Sequence, residues 1–135
     1  MRAPLLLACL FGWCSFHAQE YAMPAIPKGP VYGRHCGIVG AEPYECTRLE
    51  TLVQFQDTLG VLDMLNDTSY VMKAYGAEGV IRLEKRGVAF DQATSTLAAE
   101  LRKSNALIWT CHGCKFGLMQ LGPELQSNLS RQWTR

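Results

Sequence analysis

The amino-acid sequence predicts a small α/β (α+β) domain: a two-layer sandwich in which a short mixed sheet is packed by two or three helices, after an N-terminal signal peptide. Three observations point there. Strand-like apolar runs alternate with segments of helical periodicity, the pattern of a sheet covered by helices. The composition, 48% hydrophobic and 19% charged over 135 residues, supports one packed core and excludes collagen-like, coiled-coil and highly charged disordered classes. The first eighteen residues, finally, are apolar and carry a single charge, Arg2.

Met1-Arg2 is a minimal positive start, Ala3 to Phe16 a Leu-rich core, and Ala18 the small residue before a polar Gln19, so residues 1–18 read as a secretory signal. Residues 19–30, with Pro24, Pro27 and Pro30, read as an extended arm, and residues 31–135 as one domain. Val31 to Val39 reads as a strand interrupted by Gly33 and Gly37, with a turn over Gly40 to Pro43. Thr47 and Glu50 have capping-box spacing, Leu49, Leu52, Val53 and Leu59 follow at helical intervals, and Gly60 suits the exit. Val61 to Leu65 is a short apolar run, after which Asn66-Asp67-Thr68 turns into a short helix from Ser69 to Tyr75 closed by Gly76. Gly79 to Leu83 reads as a strand ending in the turn Lys85-Arg86-Gly87. Asp91 caps a helix from Gln92 to Lys103 with the stripe Ala93, Leu97, Ala98 and Leu101. Ala106 to Trp109 reads as a further strand, and Pro123 to Leu129 as a last short helix.

Removal of the signal would take Arg2 with it and leave twelve basic against twelve acidic side chains. A neutral chain has no overall electrostatic attraction for nucleic acid or anionic membrane, and no second apolar run approaches spanning length. Export also decides how the cysteines are read. Cys9 and Cys14 leave with the signal, whereas Cys36, Cys46, Cys111 and Cys114 enter an oxidising compartment as disulfide candidates with three possible pairings. Asn66-Asp67-Thr68 and Asn128-Leu129-Ser130 match the glycosylation acceptor pattern, which matters only on a eukaryotic secretory route.

Cys111-His112-Gly113-Cys114 follows an apolar strand and is similar to the thioredoxin active-site motif, which would make Cys111 and Cys114 a redox pair. Only twenty-one residues follow Cys114, too few for the remaining strands and helix of that fold. Haem attachment needs histidine where Lys115 stands. A Cys/His metal site would draw on His35, Cys36, Cys111, His112 and Cys114, with Cys46 as a substitute for His35, although these pairs do not form matched zinc knuckles. The sequence holds no nucleophile elbow and no phosphate-cradling loop, and Asp63, Asp67 and Asp91 make no paired-carboxylate pattern.

The run Val61-Leu62-Asp63-Met64-Leu65-Asn66-Asp67, then Val71-Met72-Lys73-Ala74-Tyr75-Gly76-Ala77, then Gly79-Val80-Ile81-Arg82-Leu83-Glu84-Lys85-Arg86-Gly87 resembles the plug domain of TonB-dependent outer-membrane receptors, in the version found in Bacteroidota. The resemblance spans residues 61–87 and implies a short helix packed on a small sheet, with Tyr75, Gly76 and Gly79 as turn and packing residues and no catalytic groups. Between Tyr75-Gly76 and Gly79 only two residues intervene, so the family's loop is shortened. The chain is far too short for a receptor barrel. The reading that follows is an exported, periplasmic or secreted, plug-like binding module without catalytic activity or cofactor, whose partner is a cell-envelope protein. The alternatives are the Cys111/Cys114 redox protein and the Cys/His metal module.

Overall fold

A computed structural model describes residues 27–132, with side chains to Arg131. The expected signal peptide, Cys9, Cys14 and the expected arm before Pro27 lie outside the described residues. Five helices and one hairpin follow in the order α1 (Tyr44–Gln54), α2 (Thr58–Leu65), α3 (Tyr70–Lys85), α4 (Gln92–Leu101), β1 (Leu107–His112), β2 (Lys115–Gln120) and α5 (Leu121–Gln132). This is an α+β domain, with more helix than the sequence reading assigned.

The difference arises at three places. The capping box does not form: α1 starts at Tyr44 after Pro43, and Thr47 lies inside it with its hydroxyl donating to Glu42 at 3.3 Å. The chain breaks at Gln56, whose φ is +54°, and Asp57 then accepts from the Gly60 N–H at 2.9 Å to cap α2. Gly60 is therefore in a helix start and not an exit, and the apolar run Val61 to Leu65 completes α2.

The strand expected at Gly79 to Leu83, and the helix end expected at Gly76, are both corrected. Residues 70–85 form the single helix α3. Its glycines are packing sites and not breakers. A Cβ on Gly76 would collide with the backbone N and Cα of Leu65, and a Cβ on Gly79 would stand 2.9 Å from both Leu49 Cδ1 and Val61 Cγ1. Small residues at these positions bring α2 and α1 against α3, where tertiary packing overrides the weak helix propensity of glycine. Helix α3 thus becomes the axis of the core, with Val71, Ala74, Tyr75, Ala77, Val80 and Leu83 all buried.

Helix α4 starts as read, since Asp91 accepts from the Thr94 N–H at 2.8 Å, but it ends at Leu101, two residues before the expected Lys103, and Ala93 of the expected stripe is exposed. Strand β1 extends past Trp109 to His112 and pairs antiparallel with β2, from Leu107 opposite Gln120 to His112 opposite Lys115. The turn is Gly113-Cys114, with Gly113 at φ +59° as a two-residue hairpin requires. On the other side of β1 the segment expected as a strand from Val31 contributes only isolated bridges, Tyr32 to Thr110 and Cys36 to Gly113, both parallel. Ile108 and Thr110 are buried on the inner side of the hairpin, in the layer occupied by α3 and α5.

Candidate functional site

The segment from Val31 to Pro43 that leads into α1, called the arm from here on, meets the hairpin tip, α3 and the end of α5 over a buried polar cluster. Tyr32 points inward beside Thr110, and its hydroxyl donates to Glu78 Oε2 at 2.7 Å. The Tyr32 and Tyr75 rings pack at 4.7 Å between centroids. The Tyr75 hydroxyl accepts from the Gly33 N–H at 3.0 Å and lies 2.8 Å from the Gly33 carbonyl oxygen. Two residues on, Arg34 reaches Glu50 Oε1 and Glu78 Oε1, each at 2.9 Å. Arg82, one turn after Glu78, clamps Glu50 at 2.6 Å. Two arginines and two carboxylates therefore neutralise one another at the junction of α1, α3 and the arm.

Burial alone would strip these charges, and the cluster reverses that. Burial pushes the Glu50 carboxyl up, but hydrogen bonds and charge from Arg82 and then Arg34 outweigh it and hold the group below its ordinary value. Burial likewise works against the Arg34 guanidinium, yet Glu78 and Glu50 raise its pKa overall. The hydroxyls of Tyr32 and Tyr75 are held protonated, chiefly by burial. The sequence reading assigns no role to Tyr32, Arg34 or Glu78, names Glu50 only as the capping-box partner of Thr47 and carries Arg82 only within the plug-like run. The available signal was Glu78 with Arg82 at i, i+4 on a helix face otherwise made of Ala, Gly, Val and Leu.

The cysteines do not pair as a C-x-x-C. Cys36 is joined to Cys111 by a disulfide, while Cys46 is buried and unbridged and Cys114 is exposed and unbridged. The redox pair Cys111/Cys114 is therefore corrected: Cys111 is taken by the arm, and Cys114 sits in the hairpin turn. The same bridge removes Cys36 and Cys111 from the alternative metal set, and no three His, Cys, Asp or Glu side chains among the described residues converge as a metal site. It also withdraws Cys111 from thioether chemistry. His35 lies against the Gly40 carbonyl and His112 against Glu124, so the two histidines serve separate partners. Of the two glycosylation acceptors, Asn128 is buried and Asn66 is exposed. Tyr75, Gly76 and Gly79 act in packing, within α3.

The bridge organises a surface. Its loop is held by Cys36 N–H to the Ala41 carbonyl at 2.8 Å, Gly40 N–H to the Gly37 carbonyl at 3.1 Å and Gly37 N–H to the Gly113 carbonyl at 2.8 Å. Gly37 and Gly40, with φ of +75° and +64°, turn the chain at either end of Ile38-Val39. Those two side chains are 93% and 88% exposed, and Tyr44 nearby in sequence is 77% exposed. Behind the loop a cavity of about 470 Å³ opens between the arm, the hairpin tip and α5, lined by Arg34, His35, Glu42, His112, Asn128 and Arg131 among others. No described helix is long and apolar enough to cross a membrane.

Comparison with known proteins finds no matching family model, no matching curated protein and no matching solved structure.

Proposed function

We propose that the chain is an exported, periplasmic or secreted, binding module that docks on a cell-envelope protein through the Ile38-Val39 loop and performs no catalysis. One observation carries the reading: a loop tied to the hairpin by a disulfide and backbone hydrogen bonds holds two adjacent aliphatic side chains almost wholly in water. Isolated exposed apolar residues are ordinary on protein surfaces. Two at the tip of a constrained loop differ, because the backbone entropy of ordering the loop has already been lost on folding and opposes binding less. Each side chain, on entering an apolar cleft, would contribute roughly 1.5–3 kcal/mol. The proposal keeps the interaction role but moves it away from residues 61–87, which are the α2–α3 pair of the core. The disulfide is compatible with an oxidising compartment.

The test is photo-crosslinking in the source cells with a benzoylphenylalanine at position 39, compared with one at exposed Gln92. A discrete adduct from position 39 that Ile38→Asp and Cys36→Ser both abolish supports the reading. No adduct, or the same adduct from position 92, overturns it.

A further inference from the structure

We infer that Asn66 is an acceptor for an N-linked oligosaccharide on a eukaryotic secretory route, and that Asn128, in the same sequence context, is not. The inference rests on the secreted form of the export reading and is independent of the Ile38-Val39 docking surface. Both asparagines stand two residues before a hydroxyl with no proline between, in Asn66-Asp67-Thr68 and Asn128-Leu129-Ser130. Sequence treats them alike, and burial separates them.

Asn66 closes α2, and both it and Thr68 are exposed in the turn of residues 66–69 that leads to α3. Its side-chain nitrogen donates to the Leu62 carbonyl at 3.0 Å. In the transfer that nitrogen bonds to C1 of the first sugar of a lipid-linked oligosaccharide, the bond from C1 to the lipid diphosphate oxygen breaks, the diphosphate leaves and the nitrogen gives up one proton. A side-chain amide carries two hydrogens, so the one that stays can still serve the Leu62 carbonyl. Asp67 holds the turn independently of that amide, since its Oδ1 accepts from the Ser69 N–H at 2.7 Å. The sugar is therefore compatible with the folded turn.

Asn128 is the opposite case. It lies within α5, 4% exposed, and its side-chain amide hydrogen-bonds to the Tyr32 hydroxyl, which in turn donates to Glu78. An oligosaccharide on that nitrogen would have to pass between α5 and Tyr32, so a chain modified there could not close the buried cluster.

The experiment is secretion of the full chain from cultured mammalian cells, once with its own N-terminus and once with a proven leader placed before Gln19, followed by peptide N-glycosidase F in heavy-oxygen water and peptide mapping. One glycosidase-sensitive mobility step, with the isotope label on the Asn66 peptide and none on the Asn128 peptide, supports the inference. Asn66→Gln and Thr68→Ala replace exposed side chains, and each should abolish the step while secretion continues. Secreted protein without the step, label on Asn128, or a step that survives both substitutions would overturn it. Modified protein that reaches the medium only behind the proven leader supports the acceptor assignment and overturns the export reading, so the two fail separately.

Discussion

Tyr32 and Glu78, 46 residues apart, share a 2.7 Å hydrogen bond that fastens the arm to the middle of α3. The carboxylate is 2% exposed and also meets Arg34 and Arg82, so its removal leaves a buried hydroxyl and two guanidinium groups short of a partner. Glu78→Ala should therefore cost about 3 kcal/mol, as expected for breaking a buried charge cluster from one side. Tyr32→Phe removes one neutral partner and should cost about 1 kcal/mol. Urea midpoints of the two variants give the order, and equal midpoints would contradict it.

The same cluster dictates an acid response. Glu50 has a folded pKa held below its unfolded value, so its contribution is complete above the unfolded pKa and disappears as pH falls through the folded one. Unfolding midpoints of the native protein should drop through and below the ordinary carboxylate range, and Glu50→Gln should flatten that drop. Parallel curves for the two proteins would exclude Glu50 as its source.

Closing Cys36 to Cys111 spans 75 residues, for which the chain-entropy model gives about 4 kcal/mol. Cys36→Ser and Cys111→Ser should each be destabilised by about that amount. Dithiothreitol should lower the denaturant midpoint of the native protein to the level of these variants and leave theirs unchanged.

Gly76 sits mid-helix, where alanine is intrinsically better by about 1 kcal/mol. The contact with the Leu65 backbone opposes this, because the backbone of α2 has little room to retreat, and overpacking of this kind costs about 1–3 kcal/mol. Gly76→Ala should destabilise on balance. Gly117→Ala, where a Cβ would meet nothing within 4 Å, serves as the control expected to be near neutral. A stabilised Gly76→Ala would mean that α2 moves freely.

Legibility followed the range of the interactions. The Asp91 cap and the periodic stripe of α4 are local, and sequence reading found the cap and three of the four stripe residues; the exposure of Ala93, and the partial burial of Leu97 against full burial at Ala98, depend on what lies opposite. The hairpin was half visible, because Gly117 and the polar ends disguised β2 as a loop. Gly76 and Gly79 misled outright: helix end, turn and strand are the local meanings of Tyr-Gly and Gly-Val-Ile, while the deciding contacts come from Leu49, Val61 and Leu65, 11 to 30 positions earlier. The polar cluster was hidden for the same reason. Glu50 and Arg34 are unremarkable until the arm is laid against α3, and no spacing rule connects position 34 to position 78.

Among the described residues, the two unbridged thiols should behave oppositely. Burial raises the Cys46 pKa most, neighbouring Glu42, Glu78 and Glu50 add to it, and Arg34 only partly offsets them, so the thiol is pushed up to about 12. At pH 8 it is both protonated and inaccessible. Cys114 is exposed in the hairpin turn, where reagent reaches it directly. Iodoacetamide added to the native, oxidised protein at pH 8 should therefore label Cys114 and spare Cys46 until denaturant is present. Peptide mapping should recover Cys36 linked to Cys111. A Cys111–Cys114 linkage, with Cys36 labelled in its place, would restore the C-x-x-C reading and detach the Ile38-Val39 loop from its anchor, removing the physical basis for the proposed docking surface.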